Sequence, residues 1–156
     1  MKILGIDPGT ATTGFGLISK EGPKLVKIDC GVISTSKDLE MPERLGILYD
    51  DLQEIIKVHK PDVVVVEKLF FTNNITTAMT VSQARGVVLL VAEQNSIRTA
   101  EYTPLQVKMA VSGYGKATKK QVQEMVKKIL KLEVIPKPDD AADALAIAIC
   151  HSANII

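Results

Sequence analysis

The stretch that most constrains this chain is Lys2–Asp7, KILGID, followed at once by Pro8-Gly9. A short apolar run closed by so strong a turn signal reads as a buried strand. Asp7 then stands at the carboxyl end of that strand, the edge at which open α/β sheets hold their ligands. A carboxylate there loses hydration and needs a partner. A metal ion is the partner that would make it functional. The other reading is that Asp7 caps the turn through its own backbone, and this stretch alone leaves both open.

The remaining chain builds outward from that strand. Gly14–Ser19 and Leu25–Ser34 read as two further strands joined at Glu21-Gly22-Pro23, so the opening is a three-stranded meander. Gly9, Gly14 and Gly16 lie close to Asp7 and let a ligand or another backbone come near. Pro42–His59 predicts a helix with Leu45, Leu48, Leu52, Ile55 and Ile56 on one face, and His59 reads as an exposed histidine at its end. Asp62–Glu67, DVVVVE, is the strongest strand signal; four valines in a row imply burial on both faces, as in a parallel central strand reached by a helical crossover. Glu67 ends this strand as Asp7 ends the first. If the strands are neighbours the two carboxylates meet; otherwise Glu67 is the solvent-facing end of a strand.

A long helix, about Ile75–Asn95, carries small residues (Ala78, Ser82, Ala84, Gly86) and apolar residues that spread beyond one stripe. That breadth points to a subunit interface, or to a helix buried within one domain. Ile97–Tyr102 reads as a fifth strand. Thr103-Pro104-Leu105-Gln106 and Thr118-Lys119-Lys120-Gln121 both have capping-box spacing and open helices; the second buries Val122, Met125, Val126, Ile129 and Leu130. The last helix, Asp139–Ala153, is rich in alanine, and its Asp140 and Asp143 share a face. Acids at a helix N-terminus favour its dipole, which accounts for Asp139 and Asp140 better than for Asp143.

At 156 residues with no internal repeat or linker, the chain reads as a single domain spanning 1–156. Its 46% apolar and 24% charged residues are the balance of a soluble globular protein. No stretch reaches the ~18 uninterrupted apolar residues of a membrane span, and the chain enters a strand at once, without a signal peptide. Cys30 and Cys150 lack metal-ligand spacing and read as reduced thiols in a cytoplasmic protein. The net charge of +1 names no partner, but its distribution does: Thr103–Lys137 holds eight lysines against two glutamates, and residues 138–156 hold three aspartates and no lysine or arginine. A basic segment beside an acidic one suits a polyanion held near metal-binding carboxylates. Lys116, Lys119 and Lys120, with nearby glycines and a helix N-terminus, form a surface suited to phosphate. Lys127, Lys128 and Lys131 read as a solvated helix face.

Four oxygen ligands without histidine or thiol select Mg²⁺ or Mn²⁺ over zinc. Two such ions roughly 4 Å apart activate a water and stabilise the leaving oxygen of a phosphodiester. There is no evident Ser-His-Asp, Cys-His or NAD site, and the Walker pattern is absent.

Taken together, GIDPGTATTGFG, VVVVEKLFF, SQARG and DDAADALAIAICH resemble the RuvC family of bacterial Holliday-junction resolvases, in order and from Lys2 to about Ser152. The resemblance implies a ribonuclease-H-like α/β fold: a five-stranded mixed sheet, its first three strands antiparallel, flanked by helices. It implies a crossover junction endodeoxyribonuclease, a homodimer placing two symmetric nicks across a four-way junction beside a branch-migration motor of the RuvA and RuvB type, in recombination and repair. The family's catalytic, metal-holding positions fall on Asp7, Glu67, Asp140 and Asp143. Phe70 matches an aromatic that packs against unpaired bases at the crossover, leaving Phe71 for the core. Lys108 and Lys119 match lysines near the junction backbone. The chain stops soon after the last helix, where some relatives carry a further basic tail. Two other classes share features with this chain. GIDPGT also resembles the first phosphate motif of the sugar-kinase/actin superfamily, which needs two such domains around a nucleotide. A non-catalytic junction-binding protein would need none of the four acids.

Overall fold

The structure is a computed structural model that describes residues 1–9, 11–68 and 75–155. Its five strands are β1 (Lys2–Asp7), β2 (Thr12–Glu21), β3 (Lys24–Ser34), β4 (Val63–Glu67) and β5 (Arg98–Tyr102). They form one sheet in the order β3-β2-β1-β4-β5. β1, β2 and β3 pair antiparallel, whereas β4 runs parallel to β1 and β5 parallel to β4. The second strand runs further than Gly14–Ser19 because the β2–β3 pairing continues from Thr12↔Ser34 to Glu21↔Lys24. Flanking residues are extended there by their partner strand, not by their own apolar pattern.

Five helices follow the expected boundaries closely: α1 (Met41–His59), α2 (Ile75–Gln94), α3 (Pro104–Ser112), α4 (Lys119–Ile129) and α5 (Asp139–Ala153). Both threonine capping boxes form: Thr103 accepts from the Gln106 amide and Thr118 from the Gln121 amide. On α4, Val122, Val126 and Leu130 are buried, but Met125 and Ile129 are only partly covered. His59 is not the exposed end residue its position predicts. Its Nε2 lies 3.1 Å from Asp29 Oδ2 and its side chain is 20% exposed, because α1 ends against β3.

The central strands are buried on both faces. Leu4, Ile6, Val64 and Val66 pack with Leu48, Leu52, Val88 and Val91 of α1 and α2. Ile3, Val63 and Val65 pack on the opposite face with α3, α4 and α5. Burying one such side chain contributes roughly 1.5–3 kcal/mol, so β1 and β4 are clamped side by side and their ends cannot drift apart. Glycines set the depth of α5. A Cβ on Gly14 would fall on the Asp140 carbonyl oxygen, and one on Gly5 on that of Ala144. The close approach that the glycines allow is therefore made by the backbone of α5, whose alanines let it sit low on the sheet.

α2 has no run of 18 uninterrupted apolar residues, as expected, since Thr76, Thr77, Thr80, Ser82, Gln83 and Arg85 interrupt it, yet it is long and apolar enough on average to cross a membrane. Over 18 residues its mean hydropathy is 1.4, enough by length and composition alone, although only 28% of that window is buried. Ala78, Ala84, Val88, Val91 and Ala92 face inward. Ile75, Met79 and Leu90 are exposed at 68%, 62% and 51%, and nothing lies within 4 Å of where a Cβ on Gly86 would sit.

Candidate active site

Ile6 pairs with Val66 across the parallel β1–β4 ladder, so the next residue on each strand is a carboxylate, Asp7 and Glu67. α5 begins over this edge. Its Pro138 N-cap places Asp139 and Asp140 in the first turn, and Asp143 follows one turn in. Asp7, Asp140 and Asp143 each offer a ligand oxygen within 4.8 Å of the others. Glu67 stands outside that closest set but lines the same cavity, of about 280 Å³, with Asp7, Asp143, Lys108 and Lys119. Pro104, Val107 and Val122 supply its apolar wall.

The two acids of the first turn separate clearly. Asp139 is about half exposed and pairs with Lys137 at 2.9 Å, which fits the helix-end role. Asp140 instead accepts a hydrogen bond from Thr12 Oγ1 at 2.8 Å and joins the cluster. Thr12 was not anticipated; one threonine within the GTATTG run carries no signal until β2 and α5 are brought together.

The electrostatics are those of a site short of positive charge. Burial, then the neighbouring Glu67, Asp143 and Asp140, push the Asp7 carboxyl up to about 7, against the pull of Lys119. Glu67 is raised by burial and by Asp143, with Lys108 acting against it. Asp143 is raised chiefly by burial, although Lys119 bonds it at 2.9 Å. Burying like charges at the end of a rigid sheet is costly unless a cation joins them. The donors are all oxygen, so the residues fit a hard divalent cation.

Of the predicted DNA-facing residues, Lys108 and Lys119 line the cavity. Lys116 is exposed in the α3–α4 loop, and Lys120 lines a separate groove with Tyr114, Gln121 and Glu124. Phe70 and Phe71 lie outside the described residues.

The family profile described as Crossover junction endodeoxyribonuclease RuvC matches residues 3–151. The chain belongs to the RuvC family. It is 58% identical to the Crossover junction endodeoxyribonuclease RuvC of Syntrophomonas wolfei over 151 residues, covering 97% of this chain and 88% of that protein. Identity to the protein of the same name from Desulfitobacterium hafniense is 56% over 155 residues, covering 99% and 94%. The Thermus thermophilus RuvC structure superposes with a TM-score of 0.91 at 36% identity, covering 98% of this chain and 94% of that one. T. thermophilus RuvC in complex with Holliday junction substrate gives 0.90 at 34%, with the same coverage. The yeast mitochondrial Holliday junction resolvase Ydc2, at 14% identity and TM-score 0.71 with 97% of this chain and 77% of that one covered, shares the fold. The fold is thus the ribonuclease-H-like one that the motifs implied.

Proposed function

We propose that this chain is a crossover junction endodeoxyribonuclease that resolves four-way DNA junctions by paired, symmetric, metal-dependent nicks, with residues 1–156 acting as one nuclease domain. The observation that carries the reading is the carboxylate cluster at the carboxyl edge of β1 and β4, in a chain of the RuvC family. Asp7, Glu67, Asp140 and Asp143 hold the cation, which supplies charge stabilisation and an activated water at a phosphodiester. Mg²⁺ is the cation assigned, with Mn²⁺ able to replace it, since both accept an all-carboxylate donor set. Lys108 and Lys119, lining the cavity, meet the scissile strand's phosphates; Lys116 and Lys120 extend the basic surface along the arm. Phe70, three residues beyond Glu67, stacks on unpaired bases at the crossover. With all four acids present, a purely structural junction binder has no support.

Two matched nicks require two sites, and the exposed stripe of Ile75, Met79, Gly86 and Leu90 on α2 supports a homodimer built on that helix. Work beside a branch-migration motor of the RuvA and RuvB type, in the cytoplasm, belongs to the same reading. The test is cleavage of a synthetic four-way junction beside a linear duplex of the same sequence, in Mg²⁺ and in EDTA. The reading requires symmetric nicks in the junction alone, only with Mg²⁺. Equal cleavage of the duplex, or cleavage in EDTA, would overturn it.

A further inference from the structure

We propose that Lys119 and a divalent cation compete for Asp143, so that this lysine sets the metal affinity of the site and couples it to phosphate binding. The inference rests on reading Asp7, Glu67, Asp140 and Asp143 as the carboxylates that hold the cation. Lys119 Nζ lies 2.9 Å from Asp143 Oδ2, and 3.9 Å from Asp139 Oδ2. Asp143 also offers an oxygen within 4.8 Å of those of Asp7 and Asp140. One carboxylate therefore serves two clients, an ammonium from α4 and the cluster beneath it.

The two clients exclude each other electrostatically. An ammonium at hydrogen-bond distance and a dication on the same carboxylate would be like charges a few ångströms apart. The lysine can leave. It is the first residue of α4, where the Thr118–Gln121 box fixes the backbone, but its side chain is 54% exposed against 27% for Asp143. A DNA phosphate at the cavity mouth is an alternative partner for the ammonium. Drawing Lys119 to phosphate frees Asp143, raising the affinity of the site for the cation, and by linkage a bound cation favours the lysine's transfer to phosphate. Lys108 is the internal contrast. It lines the same cavity, yet among the described residues no carboxylate lies within ion-pair distance of it.

The test is Mn²⁺ binding to the full chain without DNA, followed by calorimetry or by Mn²⁺ electron paramagnetic resonance. K119M should bind Mn²⁺ about tenfold more tightly than wild type, the scale of a typical coupling between sites. K119R, which keeps the charge, should stay within about threefold of wild type, and K108M, which removes a cavity charge but no bond to a carboxylate, should gain less than K119M. K119Q is measured beside K119M, so that a folding defect in one does not decide the result. Equal or weaker Mn²⁺ binding by folded K119M or K119Q overturns the competition and leaves the metal site standing. No Mn²⁺ binding by wild type overturns the metal site itself, and the competition with it.

Discussion

The two ends of the sheet treat charge in opposite ways. At the end where β1 and β4 begin, polar groups are paired by the protein. The Lys2 amide donates to Asp62 Oδ2 at 2.6 Å, and the Lys2 ammonium to the His59 carbonyl at 2.8 Å. Lys20 Nζ donates to the Ser152 and Ile155 carbonyls at 2.7 and 3.0 Å, in the last turn of α5 and just beyond it. At the other end Asp7, Glu67, Asp140 and Asp143 crowd one cavity edge with Lys119 as the bonded cation among the described residues. The same strands and the same helix connect both ends. The difference teaches where the fold is satisfied by its own groups and where it is left in deficit for something from outside.

Breaking the deficit end should have the largest effect. Asp7→Asn keeps the size of the side chain and removes one charge from the proposed ligand set. Loss of an outer-shell partner alone commonly costs metal sites about 10–100-fold, so junction cleavage in Mg²⁺ should fall by about 100-fold or more. Binding of the junction should persist or tighten, since a negative charge facing phosphate is gone. A gel assay of nicking beside one of binding checks both. Asp143→Asn should behave likewise; full activity there would return Asp143 to a helix-end role.

The same substitution should raise stability. Asp7 titrates near 7 in the fold against an ordinary 3.8. The native state therefore holds an extra proton between about pH 4 and pH 7. That contribution is fully present below about pH 4 and is lost as pH rises through 7. In EDTA, wild type should lose about 2–4 kcal/mol across that window, and Asp7→Asn should lose much less. Glu67 and Asp143, also raised, act in the same direction. Adding Mg²⁺ at pH 8 should restore wild type by mass action and help Asp7→Asn less. Thermal melts against pH, with and without Mg²⁺, check it. A flat wild-type profile would mean that the carboxylates carry no stored cost.

Breaking the satisfied end should do the reverse. Lys20→Met removes both bonds to the carbonyls at the end of α5 and should cost roughly 1–2 kcal/mol of stability. Lys2→Met, which removes the ammonium's bond to the His59 carbonyl at the end of α1, should cost about 1 kcal/mol. Neither should change cleavage at a temperature where both are folded. A cleavage defect in either would mean that the two ends are coupled through the strands and helices that join them.

Much of the deficit end could be read before any coordinates. Asp7 and Glu67 end apolar runs, and a strand burying both faces has one place to put an acid. Asp143 stood out because alanine and leucine surround it one turn into a helix. What stayed hidden depends on elements distant in the chain. His59 pairs with Asp29 only because α1 ends against β3, and Thr12 reaches Asp140 only because Gly14 lets α5 come down onto β2. Lysine-rich sequence likewise does not say which ammonium is used. Lys119 and Lys120 are adjacent, yet α4 turns one onto Asp143 and the other into a separate groove.

That divergence carries the smallest and most selective expectation. Lys108 and Lys119 line the carboxylate cavity, whereas Lys127 and Lys128 sit in the last turn of α4, where positive charge complements the helix dipole. If cations at the deficit end serve DNA, Lys108→Ala and Lys119→Ala should each shallow the log–log salt dependence of junction binding by about 0.9. The loss should be the same for every junction sequence, because a phosphate contact carries no base information. Lys127→Ala and Lys128→Ala should leave the slope unchanged and lower stability by a few tenths of a kcal/mol, roughly the lower range for a charge at a helix end. Binding titrations from about 50 to 200 mM salt separate the two outcomes. An equal change of slope at Lys127 or Lys128 would move the DNA path along α4, away from the cavity. No change at Lys108 would leave its charge acting on Glu67 alone.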